Sequence, residues 1–296
     1  MAASILVTGG GGQIGQELLR LRWPHELPLA APDRATLDIS LQSSVDAFFK
    51  RHELAAVINC AAYTAVDKAE DEIADAYAVN AYGPAWLASA ARRVGIPMVH
   101  VSTDYVFGDG TGPRTVEDAA APTSTYGASK LAGEIAIAAA MDRAVIVRTA
   151  WVVSPFRSNF LTTMLRLAEN TEEIRVVADQ KGCPTIAGDI ALALQMIVLR
   201  MIKEPSAPTG TYHFVNDGEA SWSDLAAAIM AVASEAGLPS ARIVGIASDA
   251  YPTKVKRPAD SRLDTSTLAR DYGITPRAWQ SAVRQVVQEL AQTNQN

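Results

Sequence analysis

An α/β fold, a Rossmann-type doubly wound parallel sheet with a smaller C-terminal substrate-binding portion, is predicted by three observations. Short apolar runs at residues 5–7, 55–63, 98–102 and 145–151 alternate with helical stretches, the pattern of strands buried on both faces of a parallel sheet. The first run empties into a glycine-rich turn that opens a helix. Residues able to move a proton follow the later runs, where open α/β sheets bind ligands beyond the carboxyl ends of their strands.

The bulk properties agree with this class and remove others. At 296 residues the chain is long enough for a dinucleotide-binding domain over 1–150, with later segments returning to it, and a mainly substrate-binding portion over 151–296. A net charge of −6 offers no basic footprint for nucleic acid. Cys60 and Cys183 are far apart, and His25, His52, His100 and His213 are scattered, so neither a disulfide framework nor a zinc site is indicated. The N-terminus runs into an apolar strand without a basic leader, so a cytoplasmic protein is expected. The apolar helix at 190–202 contains Gln195 and Arg200 and is shorter than the roughly 20 residues that span a bilayer. No membrane partner is expected.

The elements follow in order. Residues 5–7 form the first strand and lead into Thr8-Gly-Gly-Gly-Gly-Gln-Ile-Gly15. Gly9, Gly12 and Gly15 let the backbone turn tightly and approach a pyrophosphate facing the following helix N-terminus, where Gln13 and Ile14 stand. A second strand is predicted at 27–31, despite Pro28. About 20 residues past the glycines a carboxylate selects a ribose 2′-hydroxyl and an Arg a 2′-phosphate. Asp33 and Arg34 compete there; the reading favours NADPH through Arg34, with NADH also accommodated. Asp38, beside Ile39, lies near the adenine or caps a helix.

The strand at 55–63 ends in Ala61, Ala62 and Tyr63, and small residues suit a backbone passing close to a cofactor. A helix over 74–94 is expected to kink, because Asn80 and Gly83-Pro84 interrupt it. The strand at 98–102 ends at Thr103-Asp104-Tyr105, and Thr103 is the hydroxyl placed to neighbour Tyr126. Tyr126 and Lys130, four apart at the start of a helix, project on one face. A phenol is a sluggish acid at neutral pH unless a cation favours its ionised form, and Lys130 supplies one. Beyond residue 150, a helix opens at Ser158-Asn-Phe160 and a loop spans 179–185. A basic loop at 251–258 carries Lys254, Lys256 and Arg257, for a phosphate-bearing ligand or for solvent. The tail at 292–296 is expected to fray.

Gly-x-x-Gly-x-x-Gly, Ser-Thr-Asp and Tyr-x-x-x-Lys in this order resemble the extended short-chain dehydrogenase/reductase superfamily. Nearly the whole chain resembles one family within it, the dTDP-4-dehydrorhamnose reductases. The more specific segments are Thr64-Ala-Val-Asp-Lys-Ala-Glu70, Trp151 after its strand, and Arg257-Pro-Ala-Asp-Ser-Arg-Leu263. The resemblance implies reduction of the C4 ketone of a small-molecule dTDP-sugar by NADPH or NADH. Tyr126 would protonate the alkoxide, Lys130 would lower the phenol pKa and hold the nicotinamide ribose, and Thr103 would polarise the carbonyl. Asp104 and Tyr105 would lie along the sugar, Trp151 would pack on it, and Asn159 and Arg257 would hold the nucleotide side. Tyr63 departs from the family, where a His is common, and Lys181 and Cys183 depart in their loop. Members can form homodimers with Mg2+ bound by glutamates at the interface, but no carboxylate cluster is assignable here, so no metal ligand is claimed. A related nucleotide-sugar 4-ketoreductase or epimerase with a different C4 outcome remains open. So does a non-catalytic NADP-binding subunit like the regulatory subunit of methionine adenosyltransferase.

Overall fold

The computed structural model describes residues 3–294. Its first half runs β1 (Ser4–Thr8), α1 (Gln13–Arg20), β2 (Leu29–Ala30), α2 (Gln42–Arg51), β3 (Leu54–Asn59), α3 (Val66–Ala69) and α4 (Ile73–Tyr77). A π turn (Ala78–Tyr82), α5 (Gly83–Val94), β4 (Met98–Thr103), a 3-10 turn (Asp104–Val106), α6 (Thr125–Ala140) and β5 (Ala144–Thr149) follow. Next come β6 (Val152–Val153), α7 (Phe160–Ala168), β7 (Glu173–Val177), β8 (Lys181–Gly182), β9 (Thr185–Ile186) and α8 (Ala187–Lys203). The chain continues with β10 (Gly210–His213), β11 (Ala220–Ser221), α9 (Trp222–Glu235), β12 (Arg242–Ile246), α10 (Ser266–Tyr272) and α11 (Trp279–Asn294).

Six strands pair in parallel in the order β2-β1-β3-β4-β5-β10. The chain winds one way from β1 to β2 and the other way from β3 onward, so the crevice between β1 and β3 is the topological switch point. Alternation of side chains across the sheet explains why the strand sequences are apolar throughout. Ile5, Val7, Ala56 and Ile58 pack on the α8 side, and Leu6 and Val57 pack against α2 and α5 on the other. Each large side chain buried in this way contributes about 1.5–3 kcal/mol.

A second core lies outside the sheet. Leu161 of α7, Leu225 and Ile229 of α9, and Val283 and Val287 of α11 pack with Ile174 and Val176 of β7, which pairs in parallel with β12. The chain crosses between cores: α8, β10 and α10 return to the sheet, whereas α7 and β7 before them, α9 between them and α11 after them build the second core.

Several elements differ from their sequence reading for identifiable reasons. The strand expected at 27–31 is reduced to β2, since Pro28 has no N–H; its carbonyl accepts from Ile5 N at 2.9 Å. The run at 55–63 stops pairing at Asn59, because Ala61 N donates to Asn59 Oδ1 at 3.1 Å and Tyr63 N to Asn80 Oδ1 at 2.8 Å. The expected kink in 74–94 is the π turn that presents Asn80. The 179–185 loop contains β8 and part of β9. The buried helix at 190–202 is α8, although Leu192 and Met196 on its outer side are exposed. Residues 292–294 are helical rather than frayed, and 295–296 lie outside the described residues. Among the described residues no helix is long and apolar enough to cross a membrane.

Candidate active site

The glycine turn after β1 is shaped by close backbone approach. Gly9 has φ +70°, and a Cβ there would come within 2.6 Å of Ala61 N. A Cβ on Gly15 would meet Gly9 O at 2.3 Å, so only hydrogen fits where α1 crosses the turn. Gly12 is the N-cap of α1 and has no side chain to occupy the helix N-terminus. The free N–H groups and the helix dipole there favour an anion.

Helix α6 presents the second set of groups, and its N-terminus is doubly held. Ser124 accepts from Gly127 N at 3.1 Å. Glu70 accepts from Thr125 N at 2.8 Å and from Thr125 Oγ1 at 2.9 Å. The helix lies close against its neighbours: a Cβ on Gly133 would stand 2.1 Å from Asn80 O. Asn80 donates to Ser129 Oγ and to Tyr63 O, both at 3.0 Å, tying the helix to the loop after β3. Tyr126 and Lys130 are thereby buried at the ends of β4 and β5.

A buried polar chain runs beneath the site. Asn59 Oδ1 accepts from Thr8 Oγ1 at 2.6 Å and from Ala61 N at 3.1 Å, so the Asn59 amide N–H must face His100 Nδ1, 2.9 Å away. His100 therefore accepts at Nδ1 and carries its hydrogen on Nε2, which lies 3.4 Å from Lys130 Nζ. An N–H directed at an ammonium disfavours the charge. Lys130 donates to Val101 O at 2.7 Å. Burial pulls the Lys130 ammonium down to about 8, with Glu134 opposing. The same burial, together with the Lys130 charge, holds His100 well below the usual imidazole range, so it stays neutral.

Burial raises the Tyr126 phenol above its ordinary value; hydrogen bonding with Thr103 opposes this, and Asp104 and Tyr105 add to it. The sequence reading that Lys130 lowers the phenol is not what this geometry displays, because the ammonium is turned to Val101 and His100. Burial pushes Asp104 up to about 6, against hydrogen bonds from Ser261 and Thr103. Thr103 Oγ1 donates to Asp104 Oδ1 at 3.0 Å and accepts from Tyr105 N.

These groups line one cleft of about 840 Å³ with the glycine turn. Along it, Gln13 Oε1, Ser102 Oγ and Thr149 Oγ1 are buried without a hydrogen-bond partner among the described residues. Unfilled polar capacity beside a glycine turn fits a long, hydroxyl-bearing phosphate ligand such as a dinucleotide. Among the described residues, no group of three or more His, Cys, Asp or Glu is arranged for a metal.

Most predicted site residues meet in the cleft: Gly9, Gly12, Gln13, Ile14 and Gly15 at one end, and Arg34, Asp38 and Ile39 beyond β2. Ala61, Ala62 and Tyr63 line its floor, with Thr103, Asp104, Tyr105, Tyr126, Lys130 and Trp151 across from the glycines. Arg34 pairs with Asp38 at 3.1 Å while remaining 77% exposed. Asp38 also accepts from Ser40 N, so its carboxylate closes a turn. Trp151, at φ +49°, stacks on Trp222 at 3.6 Å. Asn159 is not in the cleft lining; its side chain caps α7 and donates to the carbonyls of Ser154, Phe156 and Arg157. Arg257 also stands outside the lining, donating to Tyr105 OH at 3.1 Å and pairing with Asp67 at 2.5 Å. Lys254 and Lys256 pair with Asp71 and Asp109, so the basic loop is neutralised within the chain. The sequence reading missed Asn59, His100 and Arg157. Asn59 and His100 are polar residues inside buried strands, and they sit opposite each other in register.

A parallel sheet with a glycine turn at the switch point and Thr103, Tyr126 and Lys130 on the facing rim defines the short-chain dehydrogenase/reductase class. The family described as the RmlD substrate binding domain matches residues 3–292, and the chain belongs to this family. It is 41% identical over 289 residues to a dTDP-4-dehydrorhamnose reductase of Sinorhizobium fredii, with 97% of each chain covered. Among solved structures it is similar to a dTDP-4-dehydrorhamnose reductase of Clostridium acetobutylicum, with a TM-score of 0.90, 36% identity and 97% and 99% of the two chains covered. A Bacillus anthracis dTDP-4-dehydrorhamnose reductase in complex with NADP gives a TM-score of 0.89 at 33% identity, with 98% and 100% covered.

Proposed function

We propose that this protein reduces the C4 ketone of dTDP-4-dehydro-β-L-rhamnose to dTDP-β-L-rhamnose, for cell-surface polysaccharide, using NADPH with NADH also accepted. The cytoplasm is the compartment in which we place the reaction. The convergence of Tyr126, Lys130 and Thr103 on the rim of a glycine-lined cleft carries this reading. Membership of a reductase family supports the substrate class.

The turn from Gly9 to Gly15 and the N-terminus of α1 would hold the cofactor diphosphate, and Arg34 a 2′-phosphate. When bound, the reduced nicotinamide supplies a hydride to C4. Tyr126 supplies the proton. Its raised pKa keeps the phenol protonated at neutral pH, the state an acid must hold before the ketone oxygen gains charge. Thr103, whose hydroxyl hydrogen goes to Asp104 in this structure, would turn it to the same oxygen or to the phenol, stabilising negative charge as it develops. Lys130, four residues along the same helix from Tyr126, would bind the nicotinamide ribose. Product is a C4 alcohol, with one hydride and one proton added.

Loss of nicotinamide absorbance on mixing with enzymatically generated dTDP-4-dehydro-β-L-rhamnose, with product configuration read by NMR, tests the proposal. Oxidation of cofactor with the rhamnose configuration is expected. A different C4 epimer would change the substrate assignment, and cofactor binding without oxidation would remove the enzymatic one.

A further inference from the structure

We propose that Arg157 grips the diphosphate of the dinucleotide, as an added cation standing over the N-terminus of α1. This rests on the reading of the cleft as a dinucleotide site.

Arg157 sits in the loop between β6 and α7 and lines the cleft. Its Nε donates to Gly11 O at 2.6 Å, and a Cβ built on Gly11 would lie 3.1 Å from Arg157 Nη2, so the guanidinium lies against the glycine turn. Nε is thereby used as an anchor. The two Nη groups, the fork that matches phosphate oxygens, have no partner among the described residues. Of the other cations, Lys130 is turned to Val101 O and His100 inside the cleft, and Arg34, Lys254, Lys256 and Arg257 are paired with Asp38, Asp71, Asp109 and Asp67. Arg157 has no such carboxylate among the described residues.

The backbone points the same way. Arg157 adopts φ +62°, a left-handed conformation that disfavours side chains with a Cβ and suits Gly or Asn. A strained residue persists only where its surroundings over-determine it. Here Asn159 Nδ2 donates to the carbonyls of Ser154, Phe156 and Arg157, and Ser154 Oγ bonds both N and O of Phe156. The Arg20 guanidinium lies over the Phe156 ring at 5.2 Å, pinning the loop to α1. Asn159 thus serves the site indirectly, by fixing the backbone from which Arg157 reaches the glycines.

The test uses Arg157→Gly and Arg157→Asn, which both suit the positive φ. Dissociation constants for NADPH and NADH are measured by cofactor fluorescence at several salt concentrations, alongside the melting temperature of the cofactor-free protein. Both cofactors should bind about tenfold or more weakly, by similar factors, since both carry the diphosphate. Their salt dependence should become shallower, and the melting temperature should not fall. Unchanged affinities in both variants, or a loss confined to NADPH, would overturn the assignment; the latter would place the guanidinium at the 2′-phosphate. A wild-type protein that binds neither cofactor would instead refute the dinucleotide reading beneath it.

Discussion

Tyr126 is buried so that it keeps its proton, and Lys130 is buried so that its charge is weakly held; the two residues are pushed in opposite directions by one cause. Tyr126→Phe should lower turnover by a factor on the order of 10²–10⁴ while cofactor affinity stays within about twofold, as measured by steady-state kinetics and fluorescence titration. Lys130 loses its proton as pH rises through about 8, so kcat/KM of the wild type should fall above that pH. His100→Phe removes the Nε2–H facing the amine, and its basic limb should move to higher pH. The same substitution strands the Asn59 amide and should cost about 1–3 kcal/mol in denaturant unfolding. Arg34→Ala should weaken NADPH more than NADH in paired titrations; because Arg34 is exposed and shared with Asp38, the loss should be modest, about tenfold or less.

At the scale of elements, α6 is the rigid mount of the site, and its start depends on a carboxylate from a distant segment. Glu70 satisfies both the backbone and hydroxyl donors of Thr125, and it places negative charge at the helix N-terminus. Glu70→Ala should destabilise the protein by about 1–2 kcal/mol in chemical denaturation and lower turnover through misplacement of Tyr126. This gives Thr64-Ala-Val-Asp-Lys-Ala-Glu70 a physical role: Glu70 caps the helix, while Asp67 accepts from Val255 N at 3.0 Å and pairs with Arg257. The segment therefore joins the catalytic helix to the loop from the C-terminal half.

At the scale of the molecule, one sheet is completed by chain from both halves. The face bearing Ile5, Val7, Ala56 and Ile58 is covered by Ile190, Leu194 and Ile197 of α8, and β10 pairs with β5. A fragment of residues 1–150 would expose that apolar face and an unpaired strand edge. It should fail to give a cooperative melting transition by circular dichroism, whereas the full chain should unfold cooperatively.

The apolar strands β1, β3, β4 and β5, the glycine turn and the Tyr126–Lys130 pair were determined by the sequence alone, because each is set by local chemistry: a continuous apolar run, the absence of a Cβ, and helical spacing; β7, β10 and β12 were not read as strands. Even the interruption in the helix before β4 was legible from Asn80 and Gly83-Pro84. Only the tertiary structure decided what faces those groups. Lys130 was read as the phenol's tuner, yet Asn59 and His100, from two paired strands, set its surroundings. Asn159 was read as a ligand contact and is a cap, since its amide is taken up by three neighbouring carbonyls. Arg257 and the lysines of its loop were read as free charge and meet carboxylates from remote segments. Hydrogen-bond partners and ion pairs separated by 190 residues, as Asp67 and Arg257 are, are consequences of folding, and sequence spacing does not encode them.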